Sequence, residues 1–312
     1  AIQTVQSNDV PVVPGSHGIL ASCEQAINIG NNIGYPVLLK AVHGGGGKGI
    51  QVVRNQEEML KYYGSVSAEA RAAFGNGDLY LEKFVTSMRH IEVQLLRDSH
   101  GNSRVIGLRD CSVQRNNQKM IEESASTMLP AELKEKVFAY TLAIADAVDY
   151  TGAGTVEFIY NLDAGEVYFM EMNTRLQVEH PVTEATSGVD IVKTQFEISG
   201  GGTIENIERQ ETGYAIEVRV TAEKIVIDSS GTMQLSPNPG LVTRCEMPAR
   251  DDVEIISIVD TGIEISPFYD SLIAQIIMRG ASREDVIEKL YHYLGTVVIE
   301  GIATNITLLK RI

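Results

Sequence analysis

Glu171-Met172-Asn173-Thr174-Arg175-Leu176-Gln177-Val178-Glu179-His180-Pro181 is the stretch on which the reading of this chain turns. Each odd position from 171 to 179 carries a carboxylate, an amide or a guanidinium, and the even positions are mostly apolar. A strand has a side-chain period of two. The spacing therefore predicts a strand with Glu171, Asn173, Arg175, Gln177 and Glu179 along one face. Such alternation arises either from a half-exposed strand with a solvated face or from a face that binds ions. Solvated faces favour Lys, Thr and Ser, whereas this row is Glu, Asn, Arg, Gln and Glu.

The row has a carboxylate counterpart upstream. Thr155-Val156-Glu157-Phe158-Ile159-Tyr160 reads as a strand, turned at Asp163-Ala164-Gly165 and returned over residues 167–173. A hairpin centred near Ala164 sets Glu157 opposite Glu171. Facing carboxylates repel, so the pair is either solvated or bridged by a cation. In the second case Glu157 and Glu171 are oxygen ligands with Asn173 nearby. One or two carboxylates acting with substrate phosphates is the usual arrangement for Mg²⁺ at ATP sites.

Further upstream, Pro36-Val37-Leu38-Leu39-Lys40-Ala41 is a short apolar strand with Lys40 near its end. Gly44-Gly45-Gly46-Gly47-Lys48-Gly49 follows, and then a second strand, Ile50-Gln51-Val52-Val53. The glycines spell G-x-G-x-x-G, but a strand follows where a dinucleotide fold needs a helix. Lys48 also precedes Gly49 rather than the Ser or Thr of a Walker loop. What remains is a glycine hairpin, either a bare turn or a cover whose N–H groups close over phosphates. Lys40 is correspondingly an exposed lysine or a phosphate contact.

Helices are predicted over 22–33, 55–74 (Asn55 and Glu58 at capping-box spacing), 130–148, 190–198 and 282–294. Residues 90–96 alternate and return over 104–110 through a turn at 98–102. Residues 111–119 read as a polar stretch ending in Lys119, and Ile216-Glu217-Val218-Arg219-Val220 as an alternating strand.

A length of 312 residues allows two domains, or one large domain with a lid. The net charge of −15 argues against a general nucleic-acid binder, yet local basic residues can still hold ATP. No apolar run approaches the ~18 residues of a membrane helix. Cys23, Cys111 and Cys245 are far apart, which points to a reducing compartment and no structural zinc. No signal peptide is evident, so a cytoplasmic location is expected, or the mitochondrial matrix in a eukaryote. The chain begins at Ala1 without Met and stops at Ile312 within an apolar run, as a fragment would.

Several motifs together resemble the biotin carboxylase family of the ATP-grasp superfamily. The opening stretch, continued through Val182-Thr183-Glu184, is similar to the family signature. Lys40-Ala41 with residues 44–49 is similar to its glycine-rich lid loop. Glu82-Lys83-Phe84-Val85, Arg89-His90-Ile91-Glu92-Val93-Gln94, Arg109-Asp110-Cys111-Ser112-Val113-Gln114 and Gly152-Ala153-Gly154-Thr155-Val156-Glu157-Phe158 follow in the family's order. Val218-Arg219-Val220 with Ala222-Glu223 resembles its C-terminal subdomain.

The resemblance implies an α+β ATP-grasp fold with a mobile glycine-rich lid (12–84) and an antiparallel-sheet body holding the metal and bicarbonate (85–214). A biotin carboxylase C-terminal subdomain follows at 215–312, cut short at its end. The implied reaction is ATP-dependent carboxylation of biotin by bicarbonate through carboxyphosphate, a C–N ligase activity. Lys40 and the backbone of Gly44, Gly45, Gly46 and Gly47 would hold ATP phosphates. Glu82, Lys83 and Val85 would line the adenine pocket, with His90 and Gln114 near the nucleotide and Ile159 against the base. Glu157 and Glu171, with Asn173, would bind Mg²⁺ or Mn²⁺. Lys119, Arg175, Gln177 and the Val178 backbone would cradle bicarbonate, Glu179 would deprotonate it, and Arg219 would stabilise the biotin enolate.

Implied partners are a biotin carboxyl carrier domain, a carboxyltransferase component and a second copy in a homodimer; nucleic acid and membrane are not among them. The sequence departs from the family in lacking its N-terminal dinucleotide-like domain, in Asn116-Asn117 where basic residues are common, and in His43 where many members have a small residue. The alternatives are another ATP-grasp ligase and a nucleotide-binding fragment with impaired catalysis.

Overall fold

A computed structural model describes residues 2–43, 49–125, 127–227 and 233–312. The phosphate-covering glycines expected at Gly44, Gly45, Gly46 and Gly47 lie outside the described residues. The chain opens with α1 (Ile2–Gln6), α2 (Cys23–Ile33), β1 (Val37–Ala41), β2 (Ile50–Val53), α3 (Gln56–Phe74) and β3 (Leu79–Lys83). Next come β4 (Met88–Arg97), β5 (Ser103–Arg115), β6 (Gln118–Glu123), α4 (Ala131–Ala147), β7 (Gly152–Asn161) and β8 (Glu166–Asn173). Then follow α5 (His180–Ser187), α6 (Ile191–Ser199), β9 (Tyr214–Thr221), β10 (Glu223–Ile227), β11 (Met233–Pro237), β12 (Gly240–Leu241) and β13 (Arg244–Glu246). The chain closes with β14 (Val253–Ser257), β15 (Glu264–Ile265), β16 (Leu272–Gly280), α7 (Arg283–Leu294), β17 (Val298–Glu300) and α8 (Ile306–Leu309). These elements divide between two compact units: residues 1–90, 131–150 and 156–172 in the first, and 91–130, 151–155 and 173–312 in the second.

In the first unit, β2-β1-β3 form an antiparallel sheet with Leu39 opposite Gln51 on one side and Leu81 on the other. The period of two buries Val37, Leu39, Ala41, Leu79 and Leu81 against Ala26 of α2 and Met59, Val66 and Ala70 of α3. Lys40 and Glu82 have the opposite parity and meet on the other face, 2.8 Å apart. The helix expected over 55–74 forms as α3. Asn55 caps it by accepting from the Glu58 N–H at 2.9 Å, and Gly75 ends it in the left-handed region at φ 75°.

In the second unit the strands run β14-β16-β9-β6-β5-β4, every neighbouring pair antiparallel. One face of β9 and β16 presents Ile216, Val218, Val220, Ala274, Ile276 and Met278 to Val286, Leu290 and Leu294 of α7. The alternate residues of those two strands, among them Glu217, Arg219 and Gln275, point the other way. The apolar alternation therefore fixes the polar set on one face.

Two sequence expectations are corrected. The polar stretch 111–119 is a hairpin: β5 continues to Arg115, and β6 starts at Gln118 with Arg115 and Gln118 paired. Asn116 and Asn117 turn the chain with φ of 50° and 63°, the type I′ conformation that matches strand twist. Lys119 is thus fixed on a strand. The second correction concerns the opening row. β8 ends at Asn173, and residues 174–179 are irregular before α5, a helix that strand-like alternation had hidden.

The β4–β5 turn is tied down by one carboxylate. Fully buried Asp98 accepts from the N–H groups of His100 (2.9 Å), Asn102 (2.9 Å) and Ile204 (3.0 Å), from Asn102 Nδ2 (2.9 Å) and from Thr203 Oγ1 (3.0 Å). Burial alone would raise its pKa, but the bonds from Asn102, Ile204 and Thr203 hold it well below the usual carboxylate range. Asp98→Ala is expected to lower unfolding free energy by about 3 kcal/mol at pH 7, measured by urea denaturation. A depressed folded pKa contributes stability above the unfolded value of about 3.9 and loses it as pH falls towards the folded one. The gap between variant and wild type should therefore narrow below that value.

Candidate active site

The second unit assembles a buried polar cluster from four strands and the segment before α5. Glu179, at the N-cap position of α5, is 1% exposed. Lys119 of β6 donates to its Oε1 at 2.6 Å and Arg219 of β9 donates to its Oε2 at 2.7 Å. Three residues that the sequence reading assigned to catalysis thus meet at one carboxylate. Each cation is shared with a second carboxylate. Lys119 Nζ also contacts Glu92 Oε1 of β4, and Arg219 Nε donates to Glu122 Oε1 of β6 at 2.6 Å. Burial disfavours the charge on Arg219, but Glu122, Glu179 and Glu217 outweigh it and raise its pKa.

Behind this layer lies Arg109 of β5, fully buried and paired in register with Glu92. It donates to Glu92 Oε2 from Nε (3.0 Å), to Gln94 Oε1 and Thr183 Oγ1 from Nη1 (both 2.9 Å), and to Thr155 Oγ1 from Nη2 (3.1 Å). The chain of contact runs Arg109, Glu92, Lys119, Glu179, Arg219, Glu122. Between an ammonium and a guanidinium the carboxylate is held in place for proton transfer, and the same cations can receive an anion.

The other assigned residues fall as follows. Arg175 is exposed, with Nη1 donating to Leu176 O and to Gln177 Oε1, both at 3.2 Å. Gln177 is buried and Val178 exposed. The Val178 carbonyl accepts from Gln275 Nε2 at 2.8 Å. Gln114 Nε2 donates to Cys111 O at 2.7 Å, and Asn173 ends β8.

In the first unit, Lys40 pairs with Glu82. Burial works to discharge that lysine, but Glu82 and Tyr80 more than offset it and its pKa is raised. Lys83 Nζ donates to the carbonyls of Gly34 (2.8 Å) and Tyr35 (3.2 Å). Val85 is buried and Ile159 half-buried. His90 Nε2 lies 2.8 Å from Glu157 Oε2, both side chains buried. Glu157 and Glu171 stand on neighbouring strands, β7 and β8, Glu157 buried and Glu171 exposed.

The sequence reading gave no role to Glu92, Arg109, Glu122, Glu217 or Gln275. Signals existed for two of them. Glu217 and Arg219 share parity in an alternating strand, and Gln275 is the one polar side chain between Leu272 and Met278.

Fold and site together define an ATP-grasp ligase carrying a C-terminal subdomain. The family model described as carbamoyl-phosphate synthase L chain, ATP binding domain, matches residues 1–207, and that of the biotin carboxylase C-terminal domain matches 217–312. Biotin carboxylase 1 of Bacillus subtilis is 43% identical over 98% of this chain and 67% of its own length. The 2-oxoglutarate carboxylase small subunit of Hydrogenobacter thermophilus is 43% identical over 97% of this chain and 63% of its own. Among solved structures, the dimeric biotin carboxylase domain of the Hydrogenobacter enzyme, in complex with MgADP and bicarbonate, gives a TM-score of 0.91 at 42% identity, covering 99% of this chain and 67% of that one. Campylobacter jejuni biotin carboxylase in complex with β-γ-ATP gives 0.92 at 39% identity, covering 99% and 68%. The chain belongs to the biotin carboxylase family.

Proposed function

We propose that this chain carboxylates biotin with bicarbonate at the expense of ATP, with Glu179 as the base. The observation that carries the residue assignment is the buried Glu179 carboxylate gripped by Lys119 and Arg219. Lys119, Arg219, Arg175 and Gln177 bind the bicarbonate anion beside the Val178 backbone. Glu179 takes its proton, and the freed oxygen attacks the γ-phosphorus with ADP as leaving group. The resulting carboxyphosphate breaks down to CO₂ and phosphate. The phosphate released with the CO₂ takes the ureido N–H proton of biotin, and the resulting enolate, stabilised by Arg219, captures the CO₂. Preplaced charges of this kind stabilise phosphoryl transfer electrostatically rather than by covalent chemistry.

Lys40, Glu82, Lys83, Val85, His90, Gln114 and Ile159 bind the nucleotide with the glycines at 44–47. Residues 12–84 act as lid, 85–214 as body and 215–312 as C-terminal subdomain. Glu157, Glu171 and Asn173 supply carboxylate and amide oxygens, the hard donor set that suits Mg²⁺ or Mn²⁺. A metal held by these residues would neutralise phosphate charge. In this reading the partners are a biotin carboxyl carrier domain, a carboxyltransferase and a second copy of the chain, and the compartment is the cytoplasm. No helix among the described residues is long and apolar enough to cross a membrane.

Bicarbonate-dependent ATP hydrolysis, stimulated by free biotin, tests the proposal; hydrolysis indifferent to both overturns it. Glu171→Gln removes one anionic ligand. It is expected to raise the Mg²⁺ concentration needed for half-maximal ATP binding by about tenfold, read by calorimetry, an effect of roughly 1.4 kcal/mol. An unchanged metal requirement counts against the ligand pair.

A further inference from the structure

Glu122 of β6 and Glu217 of β9 are directly opposite each other in register, and both are fully buried. Opposite residues of an antiparallel pair have Cβ atoms about 5 Å apart, so two buried carboxyl groups are set side by side here. Each has one oxygen bonded and one left over. Glu122 Oε1 accepts from Arg219 Nε, and Glu217 Oε1 accepts from Gln275 Nε2 at 2.7 Å, while Oε2 of each has no hydrogen-bond partner. A buried carboxylate oxygen without a donor is costly, and two of them on opposing residues are costlier.

Among the described residues, the charges in contact within this cluster are uneven. Glu92, Glu122, Glu179 and Glu217 make four buried carboxyl groups, and Arg109, Lys119 and Arg219 make three cations in contact with them. Gln275, the side chain bonded to Glu217, is neutral.

We propose that Glu122 and Glu217 hold one proton between them, and that this protonated pair is a positioning device that keeps the charge of Arg219 available beside Glu179. One proton makes an orphaned oxygen the donor for the other and brings the cluster to four carboxyl groups with three negative charges. The direction of titration agrees. Burial, opposed by Arg219 and assisted by Glu179 and Glu92, raises the Glu122 pKa to about 7. Burial together with Glu122 raises Glu217 well above the ordinary range, and the bond from Gln275 and the charge of Arg219 only partly offset this. With both groups ionised, Arg219 would face three carboxylates and offer little to an arriving anion. Gln275 bonds both Glu217 and the Val178 carbonyl, so the pair is also tied to the segment that presents Glu179.

The inference rests on the proposed function for its consequence at Arg219, but not for the proton. A carboxyl whose folded pKa is raised stabilises fully below its unfolded value, about 4.3, and loses that contribution as pH rises through the folded value. The thermal midpoint of the intact protein should therefore fall by several degrees between pH 6 and 9. Glu217→Gln, a neutral isostere of the protonated acid, should retain the pH 6 midpoint and lose that decline. Gln275→Lys, which supplies the missing cation, should lose it as well. The bicarbonate concentration for half-maximal ATP hydrolysis should rise several-fold over the same range in the wild type and stay flat in Glu217→Gln. An identical pH slope of stability in all three proteins overturns the shared proton, whatever the enzyme does. A slope lost in both variants without any bicarbonate-dependent turnover upholds the proton and removes the catalytic reading.

Discussion

Glu179→Gln is expected to remove nearly all bicarbonate-dependent turnover and to leave ATP binding intact. The amide keeps the size of the side chain and can still accept from Lys119 or Arg219, which donate at 2.6 and 2.7 Å in the wild type. It cannot take a proton from bicarbonate. Loss of a positioned general base costs about 10²–10⁴-fold in rate, so kcat should fall by about a thousandfold. The nucleotide-binding residues proposed above include Lys40 and Glu82, which bond each other, and Lys83, which donates to the Gly34 and Tyr35 carbonyls. The dissociation constant for ATP should accordingly stay within about twofold, a difference of roughly 0.4 kcal/mol. Single-turnover hydrolysis together with calorimetry reads both quantities. Retained turnover would remove Glu179 as the base.

Arg109→Met destabilises the protein by about 3–5 kcal/mol, the cost of leaving one member of a buried ion pair without its partner. Arg109 is fully buried and contacts Glu92, Gln94, Thr155 and Thr183 through its guanidinium. Methionine fills much of its volume but satisfies none of those oxygens. Set against a typical total of about 5–15 kcal/mol, this is a large fraction of the stability, and it should be plain in urea unfolding. Because the loss comes chiefly from the Glu92 charge, which keeps its contact with Lys119 but loses the guanidinium, the double variant Arg109→Met with Glu92→Gln should be more stable than Arg109→Met alone. A double variant less stable than the single one would mean that Lys119 is sufficient to hold the Glu92 charge.

Much of this architecture could be read from local patterns. Asn55 with Glu58 and Ser282 with Asp285 mark helix starts, and both caps form. The alternation of residues 90–96 and 216–220 places strands that do form. Local signals failed where two structures share one pattern. The polar alternation of 171–179 begins as strand β8, but after Asn173 the chain turns into the segment before α5, where the same side chains are aimed by tertiary contacts. Arg219 and Lys119 reach Glu179 across 40 and 60 positions of sequence, and no window shows that. The hairpin at Asn116-Asn117 was missed because its turn carries no glycine, although asparagine tolerates the positive φ it needs.

Glu92, Arg109 and Glu122 were hidden for a related reason. A charged residue in an alternating strand reads as solvent-facing, and only the sheet order shows that this face is buried. The family resemblance supplied Lys119, Arg175, Gln177, Glu179 and Arg219 as a set. The structure adds what lies behind them, a layer of carboxyl groups and one arginine that sets the charge and place of each cation.

In the proposed reaction bicarbonate, deprotonated at Glu179, is itself the nucleophile towards ATP. The direct measurement is the fate of oxygen when the intact protein hydrolyses ATP with free biotin in ¹⁸O-labelled bicarbonate. If a bicarbonate oxygen attacks the γ-phosphorus, the C–O bond of carboxyphosphate breaks afterwards and that oxygen leaves with phosphorus. One labelled oxygen is expected in each phosphate released, and almost no labelled phosphate from Glu179→Gln. Unlabelled phosphate released at the full bicarbonate-stimulated rate would mean that water is the nucleophile, and would contradict it.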